Sequence, residues 1–118
     1  MIEVGVYGAS GYMGGEVLRL LNEHPEVEIV WATTRSGKPI EYFHKNFFDS
    51  GLKLINPDKV NHCDVIFIAL PTGQAMNMAN EWIKKGTKII DLGADFRLRN
   101  KEDWEQIYGK PHMSWDIV

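Results

Sequence analysis

The sequence of 118 residues contains one cysteine, Cys63, and no long hydrophobic run. A single cysteine excludes an internal disulfide and is typical of a reducing compartment, so we expect a cytoplasmic location. No apolar run approaches the length of a membrane span, and Met1 leads directly into a strand pattern. Neither a membrane partner nor a signal peptide is therefore expected.

Strong charge of either sign is also missing. The net charge is −3 and no segment is strongly basic, which argues against a nucleic-acid partner. The four histidines and the cysteine lack the clustered spacing of metal ligands, so no metal site is expected. With 44% hydrophobic and 25% charged residues, the composition is that of an ordered globular protein. The length suffices for one hydrophobic core, so we expect one domain over residues 1–118.

Glycine, by contrast, is concentrated near the amino terminus, in residues 8–15. A strand pattern at Ile2–Tyr7 precedes this segment, and a helix pattern over residues 16–23 follows it. A strand, a glycine turn and a helix in this order bind the pyrophosphate of a dinucleotide. The alternative is a plain turn that only caps the helix.

Three of these glycines have the spacing Gly-x-x-Gly-x-x-Gly. We interpret Gly8 as allowing the turn, Gly11 as allowing a phosphate to approach the backbone, and Gly14 as allowing close packing of helix on strand. The N–H groups of the first helical turn would face the phosphates, and the helix dipole would favour their negative charge. The cofactor-binding residues predicted in this loop are Gly8, Ser10, Gly11, Tyr12, Met13 and Gly14.

The segment after the second predicted strand indicates which dinucleotide is bound. A site selective for NAD places an acidic residue there, about 20 residues past the glycines, to bind the ribose 2′-hydroxyl. This chain has no acid over residues 33–38 and instead carries Arg35 between Thr34 and Ser36. A guanidinium pairs with a 2′-phosphate and hydroxyls add donors, so these three residues predict NADP(H) as the cofactor. The alternative is a polar basic loop without a ligand.

Predicted strands and helices alternate along the rest of the chain. The strand patterns cover residues 27–33, 52–55, 64–70 and 88–92, the helix patterns cover 74–85 and 101–108, and a partly helical crossover is predicted at 40–48. Asn100 is the predicted N-cap of the last helix, and Gly86 the predicted stop of the helix before it. The side chains predicted to face the core from these two helices are Met78, Ala79, Trp82, Ile83, Trp104, Ile107 and Tyr108.

Strands joined by helical crossovers run parallel, and right-handed crossovers leave few topologies. We therefore predict an α/β fold with a doubly wound, mostly parallel, Rossmann-like sheet in the strand order 3-2-1-4-5. This order places Leu70 and Pro71, at the end of the fourth strand, beside the glycine loop, where both would line the cofactor site. The alternative is a turn that only connects strand to helix, with Thr72 as its cap.

Six segments together resemble one enzyme family, the N-acetyl-γ-glutamyl-phosphate reductases, and the related acyl-phosphate reductases of the aminoadipate route to lysine. The resemblance runs in order from Gly8 to about Gly109 and departs at Thr72, where the family usually has histidine. It also departs at His44-Lys45, where the family has a His-Pro pair. The segments are Gly8-Ala9-Ser10-Gly11-Tyr12-Met13-Gly14, Leu18-Arg19-Leu20-Leu21, His24-Pro25-Glu26-Val27, Thr34-Arg35-Ser36-Gly37-Lys38-Pro39, Ala69-Leu70-Pro71 and Asp91-Leu92-Gly93-Ala94-Asp95-Phe96-Arg97-Leu98.

The resemblance implies an NADP-dependent oxidoreductase that reduces an acyl phosphate to a semialdehyde in arginine or lysine biosynthesis. The substrate would be a small molecule or one linked to a carrier protein, and the full-length enzyme would be a homo-oligomer. Enzymes of this family use a cysteine thiolate and a histidine base from a second domain, which would lie beyond Val118. No catalytic residue is therefore predicted in this chain, and we expect it to be inactive alone. Cys63, at the predicted strand end opposite the site, is not expected to substitute.

Arg97 is the residue predicted to bind substrate. It follows the fifth predicted strand, and the resemblance implies that its guanidinium binds the acyl phosphate or a carboxylate. The alternative is a salt bridge from Arg97 to Asp95 or Asp91 that shapes the loop.

Two other functions are compatible with the sequence. A free-standing dinucleotide-binding module could sense the cofactor and regulate a partner without chemistry. An aspartate-semialdehyde dehydrogenase is a third possibility, although residues 94–97 fit that enzyme less well. A downstream domain with a Gly-Cys turn would exclude the sensor.

Overall fold

A computed structural model of the chain describes residues 1–47, 50–93, 95–96, 98 and 100–113. Five strands form one sheet in the order β3-β2-β1-β4-β5, and every neighbouring pair is parallel. The predicted α/β fold and strand order are confirmed. The strands are β1 Ile2–Tyr7, β2 Val27–Thr33, β3 Leu54–Ile55, β4 Val65–Ile68 and β5 Lys88–Asp91.

The helices occupy the connections between these strands. They are α1 Tyr12–Asn22, α2 Ile40–Phe43, α3 Ala75–Lys84 and α4 Lys101–Tyr108, with 3-10 turns at Lys45–Phe47 and Pro57–Lys59. The crossover after β2 is partly helical, as predicted. The two predicted helix signals are also confirmed, because Asn100 Oδ1 accepts a hydrogen bond from Asp103 N and Gly86 adopts a φ of 80°. None of the described helices is long and apolar enough to cross a membrane.

Helix α1 begins at Tyr12, four residues earlier than predicted. The sequence pattern places the start after Gly14 and Gly15 because glycine inside a helix costs about 1 kcal/mol relative to alanine. Both glycines are buried in α1, and a Cβ on Gly14 would collide with Gly8 O. Tertiary packing therefore overrides helix propensity at this end.

The buried faces of α3 and α4 differ partly from the prediction. Ala79, Trp82 and Trp104 are buried as predicted, while Ile83 is 46% and Ile107 63% exposed, so the prediction is wrong for both isoleucines. The buried residues of α3 are Ala75, Met76, Ala79 and Trp82. Ile83 shares their side of the helix but belongs to its last turn, which ends at Lys84. Helix α4 instead packs through Trp104, whose ring centroid is 4.7 Å from that of His112.

Two hydrophobic clusters cover the two faces of the sheet. Val4 and Val6 of β1 belong to one cluster, with α1 and α2, and Tyr7 belongs to the other, with α3, because successive strand residues point to opposite faces. The rings of Tyr7, Trp31 and Trp82 pack together in the second cluster, with centroids 5.0 to 6.2 Å apart. Trp31 covers Gly5, on which a Cβ would collide with the indole.

Candidate functional site

The carboxyl ends of β1 and β4 lie side by side, with Tyr7 paired to Ile68 and Ala69 N donating to Tyr7 O at 3.0 Å. The strand order changes direction here, because β2 lies on one side of β1 and β4 on the other. The loops that follow β1 and β4 lead away to opposite faces. A crevice at such a point is where open α/β sheets bind ligands.

Gly8 makes the turn out of β1 in a conformation that favours glycine. Its φ is +81°, and a Cβ at this position would collide with Ala69 O. Its N–H donates to Thr33 Oγ1 at 3.2 Å. Gly8 therefore bonds to the end of β2 and packs closely against Ala69, the residue that follows β4.

Gly11 is the N-cap of α1 and has an ordinary extended conformation, with φ −82° and ψ 173°. A Cβ on Gly11 would meet no atom of the described residues within 4 Å. No side chain in the described part of the chain caps α1, and the first N–H groups of a helix have no partner within it. Tyr12 and Met13 are 95% and 55% exposed, so this end of the helix faces solvent. A dinucleotide phosphate fits this space and these donors.

The loop after β2 is shaped by its own hydroxyls. Thr34 is buried, its Oγ1 lies 3.0 Å from Ser36 Oγ, and it accepts from Ser36 N at 3.3 Å. Ser36 Oγ in turn accepts from Lys38 N at 3.2 Å. These bonds form a turn that carries Arg35, whose side chain is exposed. Sequence reasoning assigned both hydroxyls to the ligand and did not anticipate that they bond to each other.

Leu70 lies beside the glycine loop, as the predicted strand order requires, and Pro71 follows it in the turn toward α3. Leu70 Cδ2 would be 3.1 Å from a Cβ on Gly8. Pro71 O accepts from Gln74 N at 3.2 Å and closes the turn into α3. The structure thus brings Leu70 to the crevice and places Pro71 in the turn that follows, while the contact of both residues with a cofactor stays a prediction.

Asp95 is a residue of this site that sequence reasoning missed. Its carboxylate is 1% exposed, and it accepts from Gly73 N at 2.7 Å and from Met76 N at 2.9 Å. It therefore caps α3, the role considered for Thr72, and fixes the turn after β4. Its negative charge also suits the positive end of the helix dipole. The contact spans about 20 residues, so no local spacing signals it.

Arg97 lies outside the described residues, so its predicted contact with substrate stays a prediction.

Asp91 lies at the end of β5. Asp91 Oδ1 accepts from Gly93 N at 2.9 Å, whereas its buried Oδ2 has no hydrogen-bond partner among the described residues. Burial raises the pKa of this carboxyl, and the nearby Asp95 raises it further.

Cys63 precedes β4, at the end of the strand opposite the crevice. Its side chain is fully buried, and burial raises the pKa of the thiol to about 11. A thiol that stays protonated is a poor nucleophile, which supports the prediction that Cys63 is not catalytic.

Among the described residues, no three His, Cys, Asp or Glu side chains are grouped as metal ligands.

His44 is a second residue that sequence reasoning missed, noted only as a departure from a family pattern. Its Nε2 lies 2.7 Å from Ala9 O in the glycine loop. Together with Ser10 it lines a cleft of about 440 Å³ beside the start of α1. The crossover after β2 is therefore part of the site.

Several named proteins are similar to this chain in sequence. The chain is 48% identical, over 95% of its length, to the N-acetyl-gamma-glutamyl-phosphate reductase of Methanosarcina barkeri, and covers 35% of that protein. It is 44% identical over 95% of its length to the reductase of the same name from Pseudomonas savastanoi, of which it covers 34%. The chain thus spans about a third of the length of the curated relatives it matches.

The fold also matches that of a solved dehydrogenase. Aspartate semialdehyde dehydrogenase with NADP from Candida albicans superposes with a TM-score of 0.70 at 22% identity, over 86% of this chain and 32% of that one. The sequence pattern of one family, the semialdehyde dehydrogenase NAD-binding domain, matches residues 3–116. The chain therefore belongs to the semialdehyde dehydrogenase family and comprises its NAD-binding domain.

Proposed function

We propose that this chain is the NADP(H)-binding portion of an acyl-phosphate reductase that forms a semialdehyde. The observation that carries this proposal is the 42–48% identity to proteins named N-acetyl-gamma-glutamyl-phosphate reductase, over nearly the whole chain. The open donors at the start of α1 and the free space at Gly11 support it, because they suit a phosphate group.

The cofactor proposed is NADP(H). Arg35 is exposed on a turn held by Thr34 and Ser36, and no acidic residue stands in residues 33–38 to repel a 2′-phosphate. Bound NADPH would supply the hydride for the reduction. The residues of this chain would bind and orient the cofactor. The glycine loop would hold its phosphates, and Leu70 and Pro71 would contact it next to this loop.

The substrate proposed is N-acetyl-γ-glutamyl phosphate, with Arg97 among the residues that bind it. The acyl phosphate of aminoadipate, free or linked to a carrier protein in lysine biosynthesis, is the nearest alternative. The names of the relatives favour the first. We further propose that the nucleophilic cysteine and the histidine base belong to a second domain, that the complete enzyme is a homo-oligomer, and that it is cytoplasmic.

The deciding experiment is an assay of the complete reading frame in the reverse direction. Phosphate-dependent reduction of NADP⁺ is followed by nicotinamide absorbance with N-acetylglutamate semialdehyde and, separately, with the aminoadipate semialdehyde. We expect turnover with the first aldehyde. Turnover with the second alone would move the enzyme to the lysine route. Binding of NADPH without turnover on either aldehyde would favour a cofactor sensor.

A further inference from the structure

His44 lies in the crossover after β2, between α2 and the following 3-10 turn, and its ring reaches the glycine loop. Nε2 is 2.7 Å from Ala9 O. A carbonyl oxygen can only accept, so Nε2 is the donor and carries the proton. Ala9 is fully buried, so its carbonyl depends on this donor.

The hydrophobic core holds the His44 ring in place independently of the loop. The ring packs edge-on against Phe47, with 6.4 Å between centroids, and Phe47 is buried in the cluster under α1. The ring also occupies the space above Gly15, where a Cβ would collide with it. His44 is therefore a fixed point to which the loop is attached.

The hydrogen bond of His44 orients the peptide group between Ala9 and Ser10. Ala9 N donates to Thr33 O at 3.0 Å while Ala9 O accepts from His44, so both polar groups of Ala9 are held. The structure has no cis peptide among its described residues, and in a planar trans peptide the C=O and the next N–H point in opposite directions. His44 thus sets the direction of the Ser10 N–H, which donates to none of the described residues.

We propose that His44 is a positioning residue that holds the glycine loop in its phosphate-binding conformation before the dinucleotide arrives. This inference rests on the proposed NADP(H) binding and identifies a residue, distant from the glycine motif in sequence, that prepares the site. A loop already ordered loses less conformational entropy on binding, so the affinity is higher. Without the donor, the Ala9–Ser10 peptide is free to rotate and its N–H is no longer aimed.

The test compares dissociation constants for NADPH, measured by calorimetric titration of this chain and three variants. His44→Phe keeps an aromatic ring but loses the donor, and we expect at least fivefold weaker binding. His44→Gln places an amide donor near the Nε2 position and should bind within twofold of the unmutated chain. His62→Phe makes the same change at an exposed histidine and should bind normally. Hydrogen exchange of the Ala9 amide, which donates to Thr33 O, should accelerate in His44→Phe and recover in His44→Gln.

The outcomes separate the two claims. An unmutated chain that does not bind NADPH overturns the proposed function and the inference with it. Normal binding by the unmutated chain and by His44→Phe overturns the inference alone, as does a folded His44→Gln variant as weak as His44→Phe. If His44→Phe does not fold, His44→Gln decides: a folded variant that binds more than fivefold weaker than the unmutated chain overturns the inference.

Discussion

At the scale of single residues, the three glycines of the motif are required for different reasons. Gly8 is fixed by its positive φ and by Ala69, and Gly14 by the approach of α1 to Gly8 O. Gly11 has an ordinary φ, and a Cβ added there would lie more than 4 Å from every atom in the described part of the chain. The fold therefore requires glycine at positions 8 and 14, and we infer that ligand binding requires it at position 11.

Gly11→Val tests this division. A branched side chain would fill the space where a phosphate approaches the backbone, while the φ of −82° suits valine. We expect loss of NADPH binding in calorimetry, with only a modest fall in the melting temperature of the ligand-free chain. Gly14→Ala is the matched control and should destabilise strongly, because its Cβ collides with backbone. Binding at unchanged affinity in Gly11→Val would show that the glycines only make a turn.

Arg35→Ala tests the choice of cofactor. If the guanidinium holds the 2′-phosphate, the unmutated chain should bind NADPH at least tenfold tighter than NADH. The substitution should remove most of this difference, since a charge-assisted bidentate contact contributes about 1.5–3 kcal/mol. Arg19→Ala removes another exposed guanidinium, paired with Glu16 on α1, and should leave the ratio unchanged. Equal affinities for both cofactors in the unmutated chain would contradict the NADP(H) proposal.

Asp91 should make stability depend on pH. Its pKa is raised by burial, so the folded chain binds this proton more tightly than the unfolded chain. The favourable contribution is complete at low pH and is lost as the pH rises through the folded pKa. Asp91→Asn should therefore raise the free energy of unfolding in urea at neutral pH. The increase should become smaller as the pH is lowered toward about 4, the ordinary pKa of a carboxyl group. The exposed Asp58→Asn is the control, and an equal gain at all pH values would refute this account.

At the scale of elements, Asp95 joins the segment after β5 to the start of α3. Asp95→Ala leaves the N–H groups of Gly73 and Met76 without their acceptor, and a lost buried cap should cost about 1–3 kcal/mol. Denaturant unfolding measures this loss. Asn100→Ala removes the exposed cap of α4 and should cost less, about 1 kcal/mol. Equal losses in the two variants would mean that the burial of Asp95 adds nothing.

Elements with strong local signals were predictable from sequence, and contacts between distant segments were not. The patterns for α3 and α4 gave bounds within one residue, because Gly86, Asn100 and the apolar period all act locally. The start of α1 was missed because two glycines there obey packing rather than propensity. His44 and Asp95 reach partners 35 and about 20 residues away, and no period or motif encodes such pairs. Thr34 and Ser36 lie in the loop after β2, where the sequence places them, but their mutual hydrogen bond is visible only in the folded chain.

At the scale of the whole molecule, we expect this chain to bind the cofactor without catalysing the reaction. This chain offers a site for the cofactor, while its cysteine is buried, protonated and at the wrong end of β4. We expect the 118 residues alone to bind NADPH and to show no phosphate-dependent reduction of NADP⁺ with the semialdehyde. Cys63→Ser should leave NADPH binding unchanged. Activity of the isolated chain that disappears in Cys63→Ser would mean that the nucleophile has been misplaced.

The aromatic cluster under the sheet has a consequence for how this molecule can be observed. Tyr7 is the last residue of β1, directly before the glycine loop, and it contacts both Trp31 and Trp82. The ultraviolet emission of indoles overlaps the absorption band of reduced nicotinamide. A reduced dinucleotide in the crevice would therefore quench the fluorescence of these tryptophans by resonance energy transfer and would emit blue light. The oxidised cofactor lacks this absorption band and would not. The fold thus contains an intrinsic optical reporter of its own occupancy and of the redox state of what it holds.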